Sequence, residues 1–295
     1  MGVDFRIGDS AEALAALDRR GLLAGAGESV DEYLARIRKL QHNLTRLETA
    51  LAKEGHYEVD GIKVYSSDRI RPAFFEKANA ECQRLFGFAA DWVPAFFINP
   101  SFAFLFGGCS FSFLPEFFAM FIIRKSFKAR ERWLFYGRDE LISHEMCHIA
   151  RAPLESYVYE ETFAYCTSKS AFRRLLGGMF LSQWDSFMLL GSAFALLLAQ
   201  LCNLYLLSLP MLLFWALPPL AACWLLLRHW GIRRRLSKAA STLSGKYGGN
   251  ANAVLFRCND SEIDMLAKGN LPDALDDLKT ARGMILRQFI IGGLK

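Results

Sequence analysis

A run of 41 residues without one charged side chain, from Phe187 to Leu227, dominates this sequence of 295 residues. A helix crosses the hydrocarbon core of a bilayer with about 20 apolar residues, so a run of this length predicts two spans. Pro210 lies near the middle of the run, where it would begin a second helix after a tight turn. The alternative is a pair of hydrophobic helices buried inside a globular domain. We predict a transmembrane helical hairpin at residues 184–230.

The charges on either side of this run predict its orientation. Arg173 and Arg174 precede the run, and Arg228, Arg233 and further basic residues follow it. Positively charged flanks stay on the cytoplasmic side of a membrane. We therefore expect an integral protein of the inner or plasma membrane, with its polar regions and both termini in the cytoplasm. The first residues lack a basic segment followed by an apolar one, so no cleaved secretory signal is predicted.

Composition narrows the classes of function. Hydrophobic residues make up 53% of the chain, more than in a typical soluble domain, and the net charge is only +5. The basic residues lie beside apolar segments and form no long stripe, so we expect no nucleic acid partner. The seven cysteines are scattered and contain no Cys-x-x-Cys pair, which argues against a disulfide framework and against a thiolate zinc site.

The rest of the chain divides into three polar regions, residues 1–56, 57–180 and 231–295. The first reads as polar helices, because its apolar side chains recur at helical spacing. We expect the second to be the domain that carries the chemical motif described below, and the third to be a cytoplasmic C-terminal region. Elements predicted in these regions are a strand near Gly61–Tyr65, a helix near Pro72–Phe86, a strand-like stretch at Ala253–Cys258, and helices from about Ser261 and Pro272.

Eleven of the 25 phenylalanines lie between Ala95 and Phe127. Asparagine, proline, glycine and glutamate interrupt this stretch too often for a helix that faces lipid. Its side chains alternate between apolar and small residues on either side of Gly107 and Gly108, as in a β-hairpin. We predict strands at residues 102–106 and 110–113, and a third near Phe117–Ile123, which together form a small antiparallel or mixed sheet.

The sequence His144-Glu145-Met146-Cys147-His148 carries the clearest chemical signal. Residues four apart on a helix share one face, so the two imidazoles can bind one Zn²⁺ with Glu145 beside the metal's open position. Such a helix also needs an inward apolar face, for which Ile142, Met146, Ile149 and Ala150 are available. Pro153 predicts that the helix ends by Ala152.

A catalytic zinc site needs a third protein ligand. None of the three other histidines is well placed, because they lie in the N-terminal region or beside the second span: His42, His56 and His229. The remaining candidates are carboxylates on the helix predicted to follow Pro153. Glu161 is the first choice and Glu160 the alternative. Twelve residues separate His148 from Glu161, enough for the chain to reverse and pack the second helix on the first.

With these motifs the sequence resembles the gluzincin group of zinc metallopeptidases, which have His-Glu-x-x-His on one helix and a zinc-binding glutamate on the next. The match covers roughly residues 90–175 and includes Glu161-Thr162-Phe163-Ala164. The resemblance implies an α+β zincin-like domain in which His144, His148 and Glu161 bind zinc and Glu145 is the general base. Many gluzincins have an aspartate four residues after the third ligand, where this chain has Tyr165. The carboxylates that could orient a histidine instead are Asp139, Glu140 and Glu160.

These features predict a zinc-dependent peptidase that acts on protein or peptide substrates near the cytoplasmic surface of the bilayer. Zinc would activate a water molecule, and Glu145 would take its proton. Tyr157, Tyr159 and Tyr165 are candidate donors to the oxyanion, Cys147 is expected to be buried, and Arg151 is expected to form a salt bridge. The alternatives are a zinc-binding membrane scaffold without activity, and a structural hairpin protein in which the motif has no function.

Overall fold

Side-chain caps fix the starts of the two N-terminal helices, α1 (Ala11–Arg19) and α2 (Val30–Lys53). The Ser10 hydroxyl accepts a backbone N–H from the first turn of α1. Ser29 and Glu32 form a reciprocal capping box at the start of α2. The apolar residues that recur along α2 are buried, so the prediction of amphipathic helices in this region is confirmed.

The structure is a computed structural model that describes residues 5–59, 61–99, 107–113, 118–134, 136–206 and 208–291. It is a mixed α/β protein with small sheets and two helices of membrane-spanning length. The further helices are α3 (Glu76–Phe86), α4 (Arg138–Arg151), α5 (Glu160–Cys166), α6 (Ala171–Leu176), α7 (Gln183–Tyr205), α8 (Met211–Tyr247), α9 (Ala251–Leu255), α10 (Asp260–Ala267) and α11 (Ala281–Ile291). The strands are β1 (His56–Val59), β2 (Ile62–Tyr65), β3 (Ala95–Ile98), β4 (Gly108–Phe113), β5 (Phe118–Arg124), β6 (Arg132–Trp133) and β7 (Tyr136–Gly137).

The largest sheet has the strand order β3-β5-β4 and is mixed, because β3 runs parallel to β5 and β4 runs antiparallel to it. The strands β4 and β5 confirm two of the three predicted for the Phe-rich stretch. The third, at residues 102–106, lies outside the described residues. Strand β3 was not predicted, because its residues are buried on both faces and therefore do not alternate. The antiparallel pairs β1-β2 and β6-β7 form separate ribbons.

The strand expected at Ala253–Cys258 is wrong, because the chain forms the helix α9 there. Small residues such as Ala251 and Ala253 favour a helix, and α9 packs on α8. Phe256, just beyond this helix, stacks on Phe86 with ring centroids 4.2 Å apart. The predicted strand near Tyr65 and the helices α3 and α10 are confirmed.

The uncharged run forms α7 and the first part of α8, and both helices are long and apolar enough to cross a membrane. Pro210 directly precedes α8, as predicted, and only 6% of the apolar window of each helix is buried within the protein. Beyond Leu227 the same helix continues as a core element, with Ile232 and Leu243 fully buried. The second candidate span is therefore continuous with a helix of the globular part.

One contiguous set of buried side chains runs through residues from all three predicted polar regions. Helix α1 packs against α11, near the other end of the chain. Arg257 binds the Asp18 carboxylate through Nε and Nη2 and donates to the carbonyl oxygens of Phe86 and Ala253. Both charged side chains are almost fully buried. The segment after the two candidate membrane helices thus completes the core that the N-terminal helices begin.

Candidate metal centre

Helix α4 carries the His-Glu-x-x-His sequence. Its apolar face, which includes Ile142 and Met146, is fully buried, and this anchors the helix between α3, α5 and β4. The helix ends at Arg151 with Ala152 as its C-cap, as Pro153 predicts. The fixed helix therefore presents its two histidines on the side that faces α5.

His144, His148 and Glu161 bring three potential metal-binding atoms together. The Nε2 atoms of His144 and His148 are 3.1 Å apart. The Glu161 carboxylate oxygens lie 3.6 Å from His144 Nε2 and 3.4 Å from His148 Nε2. Tetrahedral ligands placed about 2.0–2.1 Å from zinc are about 3.3–3.4 Å from one another. The three side chains form a group of the size that one metal ion needs.

Glu160 contacts the other side of the histidine pair. Its Oε1 lies 3.3 Å from Nδ1 of His148, while its Oε2 accepts a hydrogen bond of 2.7 Å from Nε of Arg151. This leaves Nε2 of His148 directed at the group formed with Glu161. A carboxylate on the far nitrogen orients a metal-binding imidazole and raises its basicity. Because position 165 is a tyrosine, the carboxylate placed to orient a histidine is Glu160. The other two candidates, Asp139 and Glu140, pair instead with Lys77 and Arg173.

Arg151 is held in turn by the segment that follows α9. Its guanidinium donates to the carbonyl oxygens of Phe256 and Cys258 and is fully buried. It also lies over the Phe163 ring, with 4.3 Å between Cζ and the ring centroid. The expected salt bridge of Arg151 is thus confirmed, and it connects the C-terminal region to the carboxylate that orients His148.

Glu145 lies beside the three-residue group and faces strand β4. The residue is only 5% exposed, and its carboxylate accepts hydrogen bonds from the backbone and the side chain of Ser110. Burial raises the pKa of Glu145, against the opposing effects of His148 and Ser110. A carboxyl with a raised pKa exchanges protons closer to neutral pH, which suits a general base.

The two histidines differ in their electrostatic surroundings. Burial, with the nearby charge of His148, lowers the pKa of His144 to about 4. Burial alone would lower the pKa of His148, but hydrogen bonds with Glu160 and Glu161 raise it to about 10. The same contacts outweigh the effect of burial on Glu161 and lower its pKa. His148, whose two ring nitrogens face the Glu160 and Glu161 carboxylates, is therefore the more basic imidazole of the pair.

Two features fix the position of helix α5, which carries Glu161. Before the helix, the Asp260 carboxylate accepts hydrogen bonds from the backbone N–H groups of Tyr157 and Val158, at 2.8 and 2.9 Å. After it, the chain returns across α5 at Gly177 and Gly178. A Cβ atom on Gly177 would overlap the Tyr165 ring, and one on Gly178 would lie 3.1 Å from the backbone nitrogen of Thr162. The glycines permit this close crossing.

Two cavities open on the group. One, of about 580 Å³, is lined by β4, both histidines, Glu145 and Glu161, and reaches Tyr157. The other, of about 280 Å³, lies against His144 and Glu145 and extends towards Glu140 and Arg173. Tyr165 borders both cavities, and its ring centroid is 4.7 Å from that of His144.

The three tyrosines named from the sequence differ in exposure and in position relative to the cleft. Tyr159 is fully buried and donates its hydroxyl to Asp264 at 2.5 Å, so it does not face the cleft. Tyr157 is 77% exposed at the rim. Burial raises the pKa of Tyr165 to about 12, which keeps its hydroxyl able to donate. Cys147 is fully buried, as predicted. Sequence reasoning missed the part played by Ser110 and Asp260, whose partners lie far away along the chain.

The sequence matches no family model, and neither a curated protein nor a solved structure shows significant similarity to it.

Proposed function

We propose that this chain is a membrane-anchored, zinc-dependent peptidase of gluzincin type. The observation that carries the proposal is the convergence of His144, His148 and Glu161 within 4.8 Å of one another, with the Glu145 carboxylate at the same cleft. Two imidazole nitrogens and one carboxylate oxygen are the donor set of many catalytic zinc sites. A site with three protein ligands leaves one position for a reacting molecule.

The chain's own residues divide the chemistry between them. Zinc at this site would polarise a substrate carbonyl and lower the pKa of a bound water molecule towards about 7. Glu145 would accept a proton from the attacking water and pass it to the leaving amine, since its raised pKa suits both transfers. Tyr165 would donate a hydrogen bond to the oxyanion from the wall of the cleft.

Strand β4 supplies a means of binding an extended peptide. Among the described residues it lies at the edge of its sheet and pairs only with β5. Cys109 and Ser110 of this strand line the cleft beside Glu145. Main-chain pairing with an edge strand gives affinity, while pockets for alternate side chains give selectivity. The cavities on either side of His144 would accept the side chains that flank the scissile bond.

The candidate membrane helices favour substrates at the membrane. Helix α7 begins 22 residues after Glu161, and α8 passes directly into the core that supports the site. With the basic flanks in the cytoplasm, the cleft would lie near the cytoplasmic surface of the inner or plasma membrane. We therefore propose membrane proteins or membrane-associated peptides as substrates.

The central test compares Glu145→Gln with a matched control, Glu76→Gln, in full-length protein purified in detergent. Glu76 is exposed at the start of α3, away from the cleft. Zinc content is measured by mass spectrometry, and cleavage is measured with fluorescently quenched casein and a library of quenched peptides. We expect Glu145→Gln to keep stoichiometric zinc and lose cleavage, and Glu76→Gln to keep both.

A second pair, His144→Ala and His42→Ala, tests the metal itself. His42 is exposed on α2, so its loss should not alter zinc content. Unmodified protein that lacks zinc would mean that the motif has no function, and the chain would then be a structural hairpin protein. Zinc that depends on His144 but comes with no cleavage of any probe would point to a scaffold.

A further inference from the structure

Large apolar side chains are exposed along the segment that joins the glutamate helix to the first membrane helix. This segment, residues 171–184, is the connector. Phe172, Leu175 and Trp184 are 70%, 57% and 72% exposed, and Phe180 is also exposed. A single exposed apolar residue is ordinary, whereas a group of them marks a contact surface. The connector therefore has an apolar face that we expect to contact something outside this protein chain.

The ends of the two membrane helices indicate what this apolar face contacts. Trp184 lies in the first turn of α7, and Trp230 follows the end of the uncharged run in α8. Both rings are largely exposed. Arg228 binds both carboxylate oxygens of Asp185, at 2.8 and 2.6 Å, so the two tryptophans lie at neighbouring levels of the hairpin. Tryptophan side chains at one level of a helical hairpin mark the boundary between hydrocarbon and water.

Three contacts with α8 hold the connector at this level. His229 donates from Nε2 to the carbonyl oxygen of Leu175 at 2.6 Å. Arg228 donates to the carbonyl oxygen of Met179 at 2.9 Å, and Arg233 to that of Arg174 at 2.6 Å. The connector is therefore tied to the turns of α8 that surround Trp230. At its end, the Trp184 ring contacts that of Phe187 on α7, with 5.8 Å between the ring centroids.

The charges around the connector suit a lipid headgroup region. Lys169, Arg174 and Arg234 are exposed near the same turns of α8 and α6. Basic side chains next to exposed aromatic and aliphatic ones are the combination that binds an interface containing anionic lipids. If this face bound a protein partner, it would have no reason to lie at the same level as the ends of the membrane helices.

We propose that the connector docks on the bilayer surface, with Phe172, Leu175, Phe180 and Trp184 inserted among the lipids. Because Gly177 and Gly178 cross directly over α5, this contact fixes the height of the metal cleft above the membrane. If the peptidase function holds, substrates are cleaved close to the headgroups. The lipid contact itself does not depend on that function and is tested without it.

The test places a photoreactive benzophenone amino acid at position 172 or, in a second protein, at position 175. The control carries it in place of Tyr65, which is 47% exposed on the β1-β2 ribbon. The full-length proteins are reconstituted in vesicles of phosphatidylcholine and phosphatidylglycerol and irradiated. Mass spectrometry of the peptides then identifies each adduct. We expect phospholipid adducts at positions 172 and 175, and none above the unirradiated background at position 65.

A matched pair of substitutions checks that the lipid adducts depend on apolar insertion. In the protein labelled at position 175, Phe172→Leu should keep the adduct and Phe172→Glu should reduce it strongly, because a carboxylate is expelled from the interface. Circular dichroism confirms that both variants fold. Crosslinks to protein in place of lipid would overturn the proposal and identify the surface as a protein interface. Equal lipid labelling at positions 172 and 65, or no labelling at 172 and 175, would also overturn it.

Discussion

Glu160 and Glu161 are adjacent acids with different environments. Successive residues of a helix point about 100° apart, so only one of the two can face the Nε2 atoms of the histidine pair. Glu161 does so, while Glu160 lies between His148 Nδ1 and the buried Arg151. The orientation of His148 thus depends on a residue that would not touch the metal.

Substitution of Glu160 should weaken metal binding without removing a ligand. In Glu160→Gln the amide keeps the volume of the side chain but lacks the charge that stabilises the His148 Nδ1–H. We expect zinc affinity to fall about 10- to 100-fold, the usual effect of losing such a carboxylate. Competition with a fluorescent chelator measures the affinity. Glu155→Gln, an exposed carboxylate on the same cleft, is the control and should change it little. Equal affinities for the two variants would refute the role of Glu160.

Gly177 offers a second prediction at the residue scale. A methyl group there would overlap the Tyr165 ring and crowd the carbonyl oxygen of Arg173. We expect Gly177→Ala to lower the free energy of unfolding by about 1–3 kcal/mol, the cost of overpacking. Gly245→Ala is the matched control, because nothing lies within 4 Å of its new Cβ. Thermal unfolding in detergent compares them. A Gly177→Ala protein as stable as the control would mean that α5 and the connector separate at no cost.

Residue spacing predicts part of the site and leaves the rest open. His144, Glu145 and His148 follow from helical geometry, because a spacing of four residues alone places both imidazoles on one face. The choice between Glu160 and Glu161 does not follow from spacing, since it depends on the rotation of α5 about its axis. That rotation is fixed by distant residues such as Asp260 and Gly178.

At the scale of elements, the short helix α5 depends on support from outside itself. It has no side-chain N-cap, and isolated helices of this length are unstable in water. Helix α10 provides the support, since the Asp260 carboxylate accepts hydrogen bonds from Ser156 and from two backbone N–H groups of the preceding loop. The C-terminal region therefore helps to place Glu161.

This contact predicts a dependence of stability on pH. Burial opposes ionisation of Asp260, but the hydrogen bonds from Ser156, Val158 and Tyr157 outweigh it and lower its pKa below the ordinary value of 3.8. The folded state then binds the proton less tightly than the unfolded chain. The stabilisation is fully present above the ordinary pKa and is lost as the pH falls through the lowered one.

We therefore expect Asp260→Asn to be less stable than the unmodified protein at neutral pH. The difference should narrow as the pH falls below the ordinary pKa of aspartate. Urea unfolding, monitored by circular dichroism at several pH values, measures it. Asp273→Asn is the control, because Asp273 is exposed at the surface. A difference that stays constant down to about pH 3 would show that the charge of Asp260 contributes nothing.

Elements were predictable where their sequence carries a period or a cap. Helix α2 has both, and β4 alternates along its length. Strand β3 was missed because a strand buried on both faces shows no alternation. The apolar stretch that forms α9 was assigned to a strand, since a run this short shows no clear period of either kind. Tertiary packing on α8 decides its conformation.

At the scale of the whole molecule, regions distant in sequence depend on one another. Arg257 of the C-terminal region binds Asp18 of α1, and the neighbouring carbonyl groups of Phe256 and Cys258 hold Arg151. Removing one partner of a buried ion pair costs about 3–5 kcal/mol. The sequence could not predict these contacts, because the partners lie on opposite sides of the candidate membrane hairpin in the sequence and no short-range pattern connects them.

The same arrangement predicts that the hairpin can be removed without loss of the metal site. Asp185 and Arg228 bind each other at the base of the hairpin, so a short Gly/Ser linker can replace residues 187–227. The part of α8 beyond Arg228 stays in the core. We expect the shortened protein to fold and to bind zinc with unchanged affinity. It should cleave a soluble peptide normally but lose most of its activity on substrates inserted in vesicles, because the local concentration supplied by the tether is gone.

The control carries the same linker inserted between α7 and α8, with the hairpin kept. It should retain activity on both kinds of substrate, which separates the effect of the linker from that of the missing helices. Zinc binding is measured alongside cleavage, so that a failure to fold is distinguished from a change in substrate preference. Equal cleavage of membrane-inserted substrates by the shortened protein and the control would show that anchoring does not select the substrate. The cleft and connector alone would then determine which peptides reach Glu145.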